Sequence, residues 1–280
     1  MKITCSVPIL TLNVRHRLER LLPIINSVFD DVFIIDGNST DGTAEYARTL
    51  GVRVERQTDN EEPNIRITDF TAARLRSWSY ARHDWIFVID ADEVPSPELL
   101  EIIRSIIAEN KTDTAHRFRR LVRLPDGRTI TRAFFYPEYT MIRLFHRQSG
   151  ITLEPRRKVH ERFVTPPGVT IQRHEGSLMH AWPFPGRFRR KLDHYVSLEH
   201  QDIKSTWKSM LRWVIWYNLK SAAGQFMRTI WSSIAGALHG DVVLPWSYSW
   251  PMITYRFRVM REGIRAWQKV GVDGPQPTSL

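Results

Sequence analysis

The sequence predicts an α/β protein: a mostly parallel sheet sandwiched by helices, followed by a helical C-terminal extension that is basic and aromatic. Three observations carry this. Short apolar runs alternate with longer stretches at helical spacing over the first 110 residues, the pattern of βαβ units. Two of those runs end in acidic turns, at Asp36 and Asp90, where a parallel sheet presents its ligand edge. Beyond the Pro/Gly cluster at 182–186, Lys, Arg and Trp recur through a long helical stretch.

The expected strands are Ile3–Leu10, Val32–Ile35, Val52–Val54 and Trp85–Ile89. Helices are expected between and after them, at roughly Arg17–Val28, Asp41–Leu50, Asp69–Ala81 and Pro97–Glu109. Trp85–Ile89 is continuously apolar, as a strand covered on both faces must be. From residue 114 the pattern changes. Phe118–Leu124 and Arg128–Phe135 flank the turn signal Pro125-Asp126-Gly127, so a hairpin is expected, then a strand at Met141–Phe145. Pro166-Pro167-Gly168 marks a loop. Trp182-Pro183-Phe184-Pro185-Gly186 marks the end of the compact domain, giving a first domain over 1–187 and a helical amphipathic region over 188–280.

That last region reads as helical to about Leu238, with Lys204, Lys208, Arg212, Lys220 and Arg228 at multiples of four. Trp207, Leu211, Ile215, Leu219, Phe226, Ile230 and Ile234 form the apolar complement. The uncharged stretches at 229–238 and 242–255 fall short of the ~20 residues a helical membrane span needs, and Pro245 and Pro251 break the second.

Composition narrows the function. The single cysteine, Cys5, excludes an internal disulfide and a Cys-based metal site, and fits a reducing cytoplasmic compartment. Ile3–Leu12 is too short to span a membrane and lacks a small-residue cleavage site, so a buried first strand is expected rather than a signal. The net charge of +10 divides into −6 over residues 1–110 and +16 over 111–280. The acidic half suits a cation; the basic half suits phosphates, nucleic acid or an anionic membrane.

Two segments carry chemistry. In Phe33 to Thr43 an apolar strand ends at Asp36, whose carboxylate suits a base or ribose, and runs through Gly37-Asn38-Ser39-Thr40-Asp41-Gly42 into a helix. A plain strand–turn–helix connection accounts for the same residues, so this segment alone leaves both possibilities open. In Asp84 to Glu93 three carboxylates, Asp90, Asp92 and Glu93, crowd a strand end. Like charges at that spacing repel unless a cation sits among them. Mg²⁺ or Mn²⁺ prefers oxygen ligands and leaves positions for substrate phosphates. Helix-start chemistry before Ser96-Pro97-Glu98 explains Glu98 and Glu93 but not Asp90 and Asp92.

Together these residues resemble glycosyltransferase family 2. Thr11-Leu12-Asn13 matches the end of the family's first strand, Asp36 through Thr43 its turn after strand two, and Asp90-Ala91-Asp92-Glu93 its Asp-x-Asp. The stretch from Asp84-Trp85 to Asp92-Glu93 is similar to the branch of lipopolysaccharide-core glucosyltransferases. Arg143-Leu144-Phe145 and Val159-His160-Glu161 resemble that branch as well. One departure is Ala73-Arg74-Leu75, where the branch has Ala-Arg-Asn, which puts one polar donor contact in doubt.

The resemblance implies a GT-A, Rossmann-like fold and an inverting, hexosyltransferase-like transfer from a nucleotide-diphosphate sugar, a UDP-sugar being the expected donor. Thr11, Asn13, Asp36, Arg74 and Asp90 are the implied donor-binding residues. Asp92 would act with a divalent metal, Mg²⁺ or Mn²⁺, and Glu161 would be the base. Glu138 is a rival base, and ion pairing with Arg156, Arg157 and Lys158 an alternative role for Glu161. His180 is expected either to complete the metal shell or to touch the diphosphate, and His160 to orient Glu161.

The expected acceptor is a saccharide or lipid-linked glycan of the cell surface. The basic tail is expected on an anionic membrane, making the protein peripheral on the inner face of the cytoplasmic membrane; packing on the core or a second subunit is the alternative. A sugar nucleotidyltransferase would want a Gly-rich basic loop after strand one, where Thr11-Leu12-Asn13-Val14 stands. A nucleic-acid-binding protein would leave Asp36, Asp90 and Asp92 unexplained, so no nucleic-acid partner is expected.

Overall fold

The computed structural model describes residues 1–133, 140–155, 161–198 and 207–272. Glu138, Arg156, Arg157, Lys158, His160 and Lys204 lie outside them. The chain forms two compact units, one of residues 1–123 with 138–181 and one of 124–137 with 182–280.

The first unit is an α/β layer structure. Its strands are β1 (Ile3–Thr11), β2 (Phe29–Asp36), β3 (Arg53–Arg56), β4 (Trp85–Phe87), β5 (Glu93–Pro95), β6 (Thr114–Arg123), β8 (Thr140–His146) and β11 (Thr170–Ala181). Its main helices are α1 (Arg15–Val28), α2 (Thr43–Thr49), α3 (Phe70–Ser79) and α4 (Pro97–Glu109). The sheet order is β3-β2-β1-β4-β8-β6-β11-β5. The β3-β2-β1-β4 half is parallel, as the βαβ alternation requires. β8 runs antiparallel to β4 and β6, and β5 antiparallel to β11.

Alternation along the strands builds a core on each face. Ile3, Cys5, Val7 and Ile9 of β1 pack with Leu18, Leu21, Leu22 and Ile25 of α1 and with Leu99 and Ile103 of α4. On the opposite face Ile86 and Val88 pack with Trp78 of α3, Ile142 and Phe145. Burial pushes the Cys5 thiol well above its ordinary value, which leaves it inert. α3 is capped by Asp69, which accepts from Ala72 N at 2.9 Å, and α4 by Ser96, which accepts from Leu99 N with Pro97 at the first turn.

Between Asp90 and α4 the structure inserts the short strand β5, so Glu93 begins a strand and not a helix. His180 lies within β11, opposite Glu93 in the β5–β11 ladder. A small two-stranded sheet, β9 (Thr152–Leu153) with β10 (Phe163–Val164), brings the chain back toward α3, where Phe163 lies 6.2 Å from Trp78 between ring centroids.

The second unit holds α5 (Pro185–Leu198), α6 (Trp207–Ser209), a π-helical segment (Met210–Trp216), α7 (Tyr217–His239) and α8 (Trp246–Val272). Tyr248 Oη donates to Pro183 O at 3.0 Å, and Tyr248, Phe188 and Trp182 form an aromatic cluster. The turn at 125–127 forms, with Leu124 N donating to Arg128 O, but the arm after it is short, β7 (Thr129–Ile130). Thr131 and Arg132 instead bond the α7–α8 loop: both backbone N–H groups donate to Val242 O, and Arg132 pairs with Asp241. α8 lies within the region expected to be helical over 188–280, although the helical pattern stops near Leu238 and Pro245 and Pro251 interrupt the stretch after it. Pro245 precedes the helix, and Pro251 lies inside it as the sixth residue, at the cost of one backbone bond to the turn before.

Candidate active site

The parallel half of the sheet sets the site. Its chain runs outward from β1 to β2 and β3, then returns to place β4 on the other side of β1. Such a reversal opens a crevice at the strands' carboxyl ends, and both acidic turns lie at that edge.

On the β1–β2 side, Thr11 and Asp36 are register partners. Thr11 Oγ1 donates to Asp36 Oδ1 at 2.8 Å; Ser39 donates its N–H to Oδ2 at 2.8 Å and its hydroxyl to Oδ1 at 2.7 Å. The carboxylate is thereby fixed at a buried strand end. Gly37 is required next to it, since a Cβ there would lie 2.5 Å from Ile65 O. Asn13, Asn38 and Asn64 all hold left-handed backbone conformations, with φ of 52°, 57° and 59°. They are linked: Asn13 Nδ2 donates to Asn64 Oδ1 at 2.7 Å, Asn64 N donates to Asn38 O at 2.9 Å, and Thr40 N donates to Asn13 Oδ1 at 2.9 Å. Strained conformations gathered at a strand-end rim are a feature of binding sites. Asp41 does not cap α2 directly; it accepts from Thr43 N and from Arg15 N, joining the starts of α2 and α1.

On the β4 side, Asp90-Ala91-Asp92-Glu93 closes as a turn, with Glu93 N donating to Asp90 O and Asp90 N to Glu93 Oε2, each at 3.0 Å. Glu93 is fully buried, and its Oε1 lies 2.6 Å from both Arg120 Nε and Arg143 Nη2. Asp90 bridges Arg74 Nη2 at 2.6 Å and Arg143 Nη2 at 3.2 Å. Burial works against charge on Asp90, but Arg74, Arg143 and Arg120 outweigh it and hold the carboxyl well below its usual range. Arg74 is likewise held charged against burial by Asp90, Glu161 and Glu93. Its Nη1 is buried with no hydrogen-bond partner among the described residues.

Asp92 faces a different set. Its Oδ1 is 3.1 Å from His180 Nδ1 and 4.0 Å from Arg120 Nη2, and its Oδ2 is 3.6 Å from Arg17 Nη1 of α1. His180 Nδ1 also lies 2.9 Å from Arg120 Nη2. An imidazole nitrogen and a carboxylate oxygen this close are donor types that Mn²⁺ or Mg²⁺ would accept. Among the described residues no group of three His, Cys, Asp or Glu side chains could hold an ion.

Glu161 Oε1 lies 3.6 Å from Arg74 Nε, one residue removed from Asp90. It lines a pocket of about 670 Å³ together with Arg117, Ile142, Glu154, Arg162 and Phe163.

The structure thus gathers Thr11, Asn13 and Asp36 into one cluster, and Arg74, Asp90 and Glu161 into another, with Asp92 and His180 beside it. The residues that sequence reasoning gave no role are Arg17, Arg120 and Arg143, and Glu93 was attributed to helix-start chemistry, not to the ion cluster it joins. Arg143 stood in the quoted Arg-Leu-Phe segment without a role, while Arg120 and Arg17 carried no local signal. Asn38 and Asn64 belong to the missed set too.

Comparison with known proteins follows the same stretch. The model of the family described as "Glycosyl transferase family 2" matches residues 6–168. An uncharacterized glycosyltransferase of Rickettsia typhi is 32% identical over 108 residues, covering 39% of this chain and 34% of the relative. Glycosyltransferase SunS of Bacillus phage SPbeta is 30% identical over 96 residues, covering 34% and 21%. The matched stretch thus spans about a third or less of these relatives' own length. Among solved structures, glucosyl-3-phosphoglycerate synthase from Mycobacterium tuberculosis in complex with Mn²⁺, UDP and glucosyl-3-phosphoglycerate is 21% identical, covers 43% of this chain and 44% of that one, and has a TM-score of 0.33.

Proposed function

The chain belongs to glycosyl transferase family 2, and from that premise we propose that it is an inverting glycosyltransferase that takes its sugar from a nucleotide-diphosphate donor. Its fold is accordingly GT-A. The observation that carries the proposal is the pairing of Asp92 with His180 at the same crevice edge as Asp36. A nucleotide base and ribose need fixed polar acceptors, and a diphosphate needs concentrated positive charge a short distance away.

In this proposal Asp36, with Thr11 and Asn13, holds the nucleoside of a UDP-sugar. Arg74, positioned by Asp90, reaches the donor through Nη1, which has no hydrogen-bond partner among the described residues. Asp92 and His180 would hold Mg²⁺ or Mn²⁺, which when bound would supply charge neutralisation to the departing diphosphate. Arg17 and Arg120 add positive charge at the same place. Glu161 accepts the proton of the acceptor hydroxyl as its oxygen bonds to the anomeric carbon and the bond to the diphosphate oxygen breaks, inverting that centre. The pocket bounded by Glu161, Arg117 and Arg162 receives the acceptor.

The finer assignment is hexosyl transfer to a cell-surface glycan of the lipopolysaccharide-core kind. It is supported by the Asp84–Glu93 segment, by Arg143-Leu144-Phe145 and by Glu161. A panel of nucleotide sugars with Mn²⁺, scored by thermal shift and donor hydrolysis, tests the proposal. At least one donor, a UDP-sugar first, should stabilise the protein and be hydrolysed slowly. A flat panel would overturn it.

A further inference from the structure

α7 is inside out. The side chains it buries are small or polar: Asn218, Ala222, Thr229, Ser232 and Ala235, with Gly236 beside them. The side chains it leaves outside are large and apolar. Trp231 is 68% exposed, Leu238 78%, Met227 62% and Ile234 50%, with Trp216 and Leu219 exposed on the same side. At about 100° per residue these six fall within an arc of roughly 120°, along a helix about 35 Å long. An ordinary surface helix shows the reverse arrangement, and a continuous exposed apolar stripe marks a surface that something covers. The patch extends to the start of α8, where Trp246 lies 6.2 Å from Phe226 between ring centroids. Trp246 and Trp250 are themselves exposed.

Charge says what covers it. From Trp207 to His239 the chain has four basic residues, Lys208, Arg212, Lys220 and Arg228, all exposed, and no Asp or Glu. Lys220 lies within the apolar arc. A second copy docked through this face would set like charges together with no carboxylate of the same segment to answer them. A layer of anionic headgroups over acyl chains answers both features, and tryptophan favours that boundary. No helix of the described residues is long and apolar enough to cross a membrane.

We infer that the outward face of α7, from Trp216 to Leu238, is a membrane-docking surface that lies in the headgroup plane of an anionic bilayer. This goes beyond the donor chemistry and does not depend on it.

The test uses the full chain and vesicles of phosphatidylcholine, with and without phosphatidylglycerol, in a co-sedimentation assay. The parent should bind the anionic vesicles, less tightly as salt is raised, with a blue shift in tryptophan emission. Trp231→Ser combined with Leu238→Ser should weaken binding by at least about tenfold. Lys220→Glu combined with Arg228→Glu should weaken it by about fivefold per cation. Equal binding by parent and the Ser variant overturns the inference, as does a parent that ignores anionic vesicles. A parent that self-associates, does not bind vesicles and becomes monomeric in the Ser variant would assign the face to a second copy instead. Unchanged thermal melts confirm that the exposed substitutions leave the fold intact. Loss of donor hydrolysis in the parent would count against the proposed function and leave this result standing.

Discussion

His180 Nδ1 stands 3.1 Å from Asp92 Oδ1 because the antiparallel β5–β11 ladder sets His180 opposite Glu93, the residue after Asp92. Neither side chain lies near the other in sequence. The ladder makes them a single nitrogen–oxygen pair beside the crevice that Asp36 also borders.

Replacing the histidine should therefore act through the metal. His180→Ala should raise the Mn²⁺ concentration needed for half-maximal donor hydrolysis by about 10–100-fold, leaving the rate at saturating metal less affected. A metal titration of parent and variant checks this; superimposable curves would remove His180 from the shell.

Glu161→Gln should separate transfer from donor binding. The amide keeps the shape but cannot accept the acceptor's proton, so transfer should fall by about 10²–10⁴-fold. The donor's thermal shift should persist, because Arg74 keeps its ion pair with Asp90. Transfer at the parent's rate would pass the base role to another residue.

The buried ion cluster predicts a stability effect. Arg143 is only 3% exposed and pairs with Glu93, which is fully buried. Arg143→Met leaves Glu93 with Arg120 alone and should cost about 3–5 kcal/mol, read from urea unfolding. A cost below about 1 kcal/mol would mean that Arg120 suffices.

A histidine pair predicts a pH effect. His116 Nδ1 lies 3.0 Å from His174 Nε2. Burial first, and the His174 charge second, lower His116 from an ordinary 6.5 to about 4. Above pH 6.5 the group is neutral in both folded and unfolded chains, so it costs nothing there. Between 6.5 and 4 the unfolded chain takes up a proton that the folded one refuses, so stability falls as pH falls, by up to about 3 kcal/mol. Urea midpoints at pH 7 and pH 5 should differ less in His116→Gln than in the parent; equal differences would contradict the assignment.

Much of this was legible in the sequence, for identifiable reasons. β1, β2 and the acidic turn after β4 announce themselves because a buried parallel strand is a continuous apolar run and its ligand turn is local. The partners of Glu93 were not legible. Arg120 and Arg143 reach it through strand pairings over long sequence separations, and a one-residue change of register would turn each away. The extent of α8 within the expected helical region was obscured by Pro245 and by Pro251, which the helix accommodates inside it, where Thr254 Oγ1 bonds Trp250 O at 3.0 Å. α7 misled in another way: its apolar stripe was visible, but only the fold shows that the small residues face inward.

The central claim is that Asp92 anchors donor chemistry at this crevice. Donor hydrolysis by Asp92→Ala, against the parent and against the parent in excess chelator, tests it most directly. The account predicts a variant that still folds, with a modestly lowered melt because the carboxylate is only 13% exposed and faces His180, Arg17 and Arg120, and a loss of about 10³-fold in both arms. Hydrolysis at the parent's rate in the variant, or in chelator, would contradict it.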